Sequence, residues 1–262
     1  MFEENKKNKI DEIKKNNLNI KQNENNNKNN DDEIFPDLQI EKIDSDSTIN
    51  SESDLVFKII VIGNAGVGKS CLSLKATTGN FEETYITTVA FDFFNFTTKI
   101  NNQLIKLQIW DTCGQEYYIK YVQNFFKNAG LAILVYAIND RQSFNDIEEW
   151  LNQIKLNASP DTKLILVGNK KDLENERKVT YEEGEKLSKD FNFFCFFESS
   201  AKEGINSEEI FLTSTKLLYT RYLKFKKSEG LCNKMDNSEN DRITLVRESV
   251  LTKDEKKKKN CC

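Results

Sequence analysis

Apolar residues fall in short unbroken runs between about residue 55 and residue 226, and both ends of the chain are polar. The runs Val56–Ile62, Leu131–Ile138, Lys163–Val167 and Phe193–Phe197 read as strands, and Phe91–Ile100 with Gln103–Trp110 reads as a hairpin pair. Helical spacing of apolar positions predicts helices over Lys69–Ala76, Ser143–Leu156, Tyr181–Lys189 and Ser207 to about Lys226. Strands apolar at nearly every position are buried on both faces. The pattern therefore implies an α/β fold, a mostly parallel six-stranded sheet with helices on both faces, whose ligands gather at the carboxyl ends of the strands.

A glycine-rich turn, Gly63-Asn64-Ala65-Gly66-Val67-Gly68-Lys69-Ser70, follows the first strand and opens the first helix, with Cys71 next on that helix. Glycines let successive backbone N–H groups face one anion at a helix N-terminus, which is the phosphate-cradling arrangement. Lys69 supplies a charge to β- and γ-phosphates, and the Ser70 hydroxyl suits a Mg²⁺ ion bridging them. A second motif, Asn169-Lys170-Lys171-Asp172, follows another strand. A carboxylate such as Asp172 accepts two parallel hydrogen bonds from the N1–H and 2-amino group of guanine, whereas adenine would leave it unpaired. That mismatch gives discrimination of roughly ten-thousand-fold or more.

Composition narrows the picture. Net charge of −4 argues against nucleic acid as the main ligand, and the absence of histidine removes His-based triads and most zinc sites. No run is long enough to cross a bilayer and no signal-peptide core is evident, so a cytosolic protein with reduced cysteines is expected. Residues 1–54, rich in Asn, Lys, Asp and Glu, read as a disordered arm. One patch there, Ile34, Phe35, Leu38, Ile40 and Ile43, is apolar enough to dock on a partner or on the domain itself.

With these motifs in view, the stretch from residue 55 to 226 resembles a small GTPase of the Ras superfamily, and within it a Rab. The resemblance is carried by Lys106–Trp110 running into Asp111-Thr112-Cys113-Gly114-Gln115-Glu116, by Glu198-Ser199-Ser200-Ala201-Lys202, and by Tyr85–Phe93 in the first-switch position. It implies the P-loop small-GTPase fold. It also implies that Ser70, Thr88 and Asp111 hold Mg²⁺, that Gly114 meets the γ-phosphate, and that Gln115 orients the attacking water with Lys69 on the phosphates. Phe81 would stack against guanine, and Ser200, Ala201 and Lys202 would complete the base site. The loops around Thr88 and Gly114 would order with GTP and release with GDP. No Arg or Lys lies between Gly79 and Asp92, so slow intrinsic hydrolysis is expected, slowed further by the Ala65 side chain, with a partner arginine supplying the acceleration. Tyr85, Ile86, Thr87, Thr88, Val89, Ala90, Phe91, Asp92 and Phe93, with Trp110 and Phe126, would form the effector surface.

Residues 227–262 read as a flexible tail with a basic cluster, Lys256–Lys259, before Cys261 and Cys262. Paired terminal cysteines match the Rab pattern of double geranylgeranylation, and two lipids with a polybasic patch anchor a protein where one lipid holds marginally. The resemblance implies a monomer on the cytoplasmic face of an intracellular or plasma membrane, with a soluble pool. An exchange factor, an activating protein, an escort or GDP-dissociation inhibitor, and effectors would be its partners in vesicle traffic. A second class, a guanine-nucleotide-binding scaffold with little hydrolysis, is disfavoured by Gln115, Thr88 and Asp111; a P-loop kinase or ATPase is disfavoured by Asp172. Ala90, Phe91, Tyr117, Tyr118 and Ala137 depart from the Rab pattern near the partner-reading surface, and Cys113 reads as a small buried apolar residue.

Overall fold

In a computed structural model describing residues 38–43, 53–81, 91–112, 125–232 and 250–252, with the backbone alone for 229–232 and 250–252, the run Leu55–Ile62 forms strand β2 in the middle of the sheet. Strand β1 is Ile40–Lys42. Helix α1 (Lys69–Thr78) follows β2. Strands β3 (Phe91–Ile100) and β4 (Gln103–Thr112) pair as a hairpin, turned by Asn101 and Asn102 at φ of 48° and 64°. Asparagine tolerates this left-handed backbone, which matches the twist of the flanking strands.

Strand β5 (Leu131–Ala137) is buried at every position. It is followed by α2 (Arg141–Asn145), α3 (Ile147–Asn157), β6 (Lys163–Asn169), a 3₁₀ helix (Lys171–Glu176), α4 (Tyr181–Asp190), β7 (Cys195–Glu198), α5 (Ser207–Cys232) and β8 (Val250–Thr252). The single helix expected over Ser143–Leu156 is two, broken at Asp146. Asp140 caps the first by accepting from the N–H groups of Gln142 and Ser143, and the Asp146 side chain is held by Asn64 and Gln142.

The sheet order is β1-β3-β4-β2-β5-β6-β7, and β8 pairs antiparallel with the first residues of β2. Pairs β2–β4, β2–β5, β5–β6 and β6–β7 are parallel. The expected six strands are therefore present with two additions, and both come from stretches expected as a disordered arm and a flexible tail. A three-residue strand is held mostly by main-chain hydrogen bonds to an existing edge, so its strand character leaves little trace in sequence, although β1 lies in the apolar patch expected to dock on a partner or on the domain itself.

The core lies on both faces, as period-two alternation requires. Ile60, Ile62, Leu134, Tyr136 and Leu166 meet Phe144, Ile147, Trp150, Leu151 and Ile154 of α2 and α3 on one side. On the other, Phe57 meets Tyr222 edge-on at 6.4 Å and Phe96 meets Phe211 at 5.7 Å, seating α5. This packing brings the ends of β2, β4, β6 and β7 to one rim.

Candidate nucleotide site

The turn from β2 into α1 is shaped by glycines at φ of 142°, 78° and 91° (Gly63, Gly66 and Gly68). A methyl group at Gly63 would stand 2.1 Å from the Val135 carbonyl oxygen, and one at Gly68 would stand 2.5 Å from Asn169 Nδ2. Side chains cannot enter there, so the backbone itself lines the cradle. Lys69 is 5% exposed, and its ammonium donates to the carbonyls of Gly63 and Asn64 at 2.9 Å each, placing a positive charge under the arch. Ala65 and Gly66 are exposed at the top of the loop, Val67 is buried beneath it, and Cys71 is half-buried on the first turn of α1.

Asn64 does more than turn the chain. Its Nδ2 donates to Asp146 Oδ2 at 2.6 Å, and its Oδ1 accepts from Trp150 Nε1 at 2.8 Å. The phosphate loop is thereby tied to α3. Trp150 carries no motif and reads in sequence as an ordinary core aromatic, so this link is invisible until the fold is known.

Ser70 and Asp111 meet at the end of β4, where the Ser70 hydroxyl donates to Asp111 Oδ2. Asp111 is fully buried, and its Oδ1 has no hydrogen-bond partner among the described residues. Burial pushes its carboxyl up to about 7, against the pull of the Ser70 hydrogen bond and the Lys69 charge. A buried carboxylate oxygen with no donor there, beside a hydroxyl and next to a phosphate cradle, fits a hard divalent cation that keeps water and phosphate oxygens in its shell.

The two loops expected at the base, after β6 and after β7, meet at the same rim. Asn169 is 1% exposed; its Nδ2 donates to the Val67 carbonyl at 2.9 Å and its Oδ1 accepts from Ser199 Oγ at 3.1 Å, coupling the phosphate loop to the base loop. Lys170 sits at φ 66°, turning the chain so that Asp172 faces Ser200, whose hydroxyl donates to Asp172 Oδ1 at 2.6 Å. Ala201 is buried and Lys202 exposed beside them, and Phe81 is half-buried at the close of the segment after α1.

Arg177 then clamps the assembly. It forks onto Glu198 at 2.6 and 3.0 Å and onto Glu174 at 2.7 and 2.7 Å, and also donates to the Val179 carbonyl at 2.8 Å. The two carboxylates hold its guanidinium above its ordinary pKa. Arg177 belongs to no expected site, because a charged residue in a polar loop reads in sequence as solvated surface; Ser199 lies in the Glu198–Lys202 motif without a role of its own.

Phe91 and Phe93 are 42% and 44% exposed and gather around Trp110, each with its ring centre 5.6 Å away. Phe125 completes the cluster, 4.8 Å from Phe91 and 5.5 Å from Trp110. Phe126, expected on this surface, is instead 1% exposed within the core. Of two adjacent aromatics at a helical turn only one can point outward, and sequence does not say which. Asp92 is exposed between the two phenylalanines. Tyr85, Ile86, Thr87, Thr88, Val89, Ala90, Cys113, Gly114, Gln115, Cys261 and Cys262 lie outside the described residues.

A model of the Ras family matches residues 58–220. The chain is 42% identical over 165 residues to the Ras-related protein RIC1 of Oryza sativa subsp. japonica, covering 63% of this chain and 81% of that protein. It is 43% identical over 158 residues to the Ras-related protein Rab-13 of Rattus norvegicus, covering 60% and 77%. To the Ras-related protein SEC4 of Saccharomyces cerevisiae it is 41% identical over 175 residues, covering 66% and 80%. A glycine-lined turn opening a helix, loops that meet it at one rim, and a family match from within β2 to α5 leave one assignment: the chain belongs to the Ras family of small GTPases, as a Rab.

Proposed function

We propose that this Rab GTPase is a slow, membrane-anchored timer of vesicle traffic, which holds GTP between the Gly63–Ser70 cradle and Asp172 and changes partner when the γ-phosphate is lost. The observation that carries the reading is Asn169, whose single side chain bonds to the phosphate loop and to the base loop, so both ends of one nucleotide are sensed by one rigid unit.

Lys69 binds phosphate oxygens by donating from its ammonium in place of its present bonds to the Gly63 and Asn64 carbonyls. Asp172, with one oxygen already bonded to Ser200, is oriented to accept from the guanine edge, and the Ala201 N–H meets the base oxygen. Ser70, Asp111 and Thr88 would hold Mg²⁺, which supplies charge neutralisation at the phosphate oxygens when bound. Gln115 orients the attacking water, and Gly114 donates to the γ-phosphate. The cluster formed by exposed Phe91 and Phe93 with half-buried Trp110 and Phe125 is the surface for effectors. Geranylgeranyl groups on Cys261 and Cys262, next to Lys256–Lys259, hold the protein on the cytoplasmic face of a membrane, and an escort protein maintains a soluble pool. The working form is a monomer, regulated by an exchange factor and an activating protein.

Single-turnover GTP hydrolysis on the purified chain, beside Gln115→Leu, tests the timer. Slow hydrolysis that the substitution suppresses at least about tenfold supports it. Equal rates from the two proteins would remove Gln115 from the reaction and leave a nucleotide-binding scaffold.

A further inference from the structure

The outer flank of β3 takes an additional strand. Ile40, Glu41 and Lys42 pair antiparallel with Ile100, Lys99 and Thr98, and the Ile43 N–H donates to the Thr97 carbonyl at 2.9 Å. Ladder alternation then places the main-chain groups of Glu41 and Ile43 toward β3, and the side chains of Ile40 and Lys42 toward α5. There Lys42 pairs with Glu208 on the first turn of α5 at 3.2 Å, and its ammonium lies 5.8 Å from the Phe96 ring centre. Ile40 is half-buried beside Ile100, itself fully buried, while Gln39 and Glu41 are exposed.

We propose that the β3–α5 flank is a strand-binding groove whose occupant is this chain's own segment Leu38–Ile43, held in cis. The groove selects by chemistry that can be read off its walls. Main-chain groups of Thr97 and Lys99 require an extended segment, the Ile100 side requires an apolar residue, and Glu208 with the Phe96 ring requires a cation two positions later. Ile40-Glu41-Lys42-Ile43 satisfies all three. The occupant covers only the half of β3 away from Phe91 and Phe93, so it anchors the N-terminal extension to the domain without touching the aromatic cluster. It also covers part of an edge that would otherwise offer unpaired N–H and C=O groups of Thr97 and Lys99 to another strand. This inference stands independently of the nucleotide reading.

Amide hydrogen exchange on the full chain as purified tests it. The Thr97 and Lys99 amides face β1, whereas those of Thr98 and Ile100 face β4 and serve as internal controls. Glu41→Pro removes one donor to β3 at an exposed side chain, and exchange at Thr97 and Lys99 should rise about tenfold or more while the controls hold. A peptide of residues 37–45, added at about millimolar concentration to match the lost effective concentration, should restore protection; the same peptide with Ile40→Asp should not. Lys42→Glu should raise exchange at the same two amides, and adding Glu208→Lys should lower it again. Unchanged exchange in Glu41→Pro, or no protection by the unmodified peptide, would overturn the proposal.

Discussion

Arg177 offers the sharpest test of how the base loop is held. Replacing it with Met keeps much of the volume and removes both carboxylate forks. The bond to Glu174 is exposed and contributes little, since Glu174 is 60% exposed. Glu198 is different: its side chain is 4% exposed, and after the change its nearest cation is Lys171 at 3.9 Å, itself 43% exposed. Breaking a buried pair on one side costs about 3–5 kcal/mol, and the partial access of Arg177 with the remaining lysine reduces this to about 2–3 kcal/mol. At ~2–4 °C per kcal/mol for a domain of this size, the melting temperature at saturating GDP should fall by about 5–10 °C. Because Glu198 leads directly into Ser199 and Ser200, release of a fluorescent GDP analogue should quicken as well. Adding Glu198→Gln to the same chain should recover more than half of the lost stability, since the uncompensated charge is gone. A single variant that loses under about 0.5 kcal/mol, or a double variant no more stable than the single, would refute the reasoning.

The remaining expectations concern the phosphate loop and the aromatic platform. Trp150→Phe deletes the Nε1 donor to Asn64 while keeping an aromatic in the core; loss of that hydrogen bond, about 1 kcal/mol, should speed GDP release by about fivefold without altering the preference for guanine. Burial pushes Lys58 down to about 8, although it donates to the Lys127 carbonyl at 2.8 Å and lies 4.6 Å from the Trp110 ring centre. The sign follows from linkage: the unfolded chain keeps this proton up to about 10.5, so burial of the ammonium disfavours folding in full below about pH 8 and is relieved as pH rises toward 10.5. Denaturant unfolding of wild type and Lys58→Met across that window should show wild type gaining on the variant as pH rises, and parallel curves would contradict the assignment.

The placement of the expected site residues is legible in the sequence because the motifs sit at fixed offsets from apolar strands. Gly63–Ser70, Asp111, Asn169, Asp172 and Ser200 are found at the rim where the strand pattern puts them. What escapes is whatever depends on pairs far apart in sequence. Trp150 binds Asn64 across 86 positions, and Arg177 reads as surface charge until Glu198 is folded against it. Strand β1 is legible in part: the patch around Ile40 reads as able to dock on the domain, but not as a strand, because the β3 edge it pairs with lies more than fifty residues downstream. The break at Asp146 is hidden because apolar spacing continues through Phe144, Ile147, Trp150 and Leu151 as if one helix were present.

The central claim is that the pocket reads guanine through Asp172, and nucleotide competition against bound labelled GDP tests it most directly. Wild type should be displaced by GTP and resist ATP by roughly ten-thousand-fold. Asp172→Asn should weaken GTP and favour xanthosine triphosphate, whose 2-carbonyl accepts from the introduced amide N–H while the amide oxygen still accepts from Ser200. ATP displacing GDP from wild type as readily as GTP does, or an unchanged base preference in Asp172→Asn, would contradict the account.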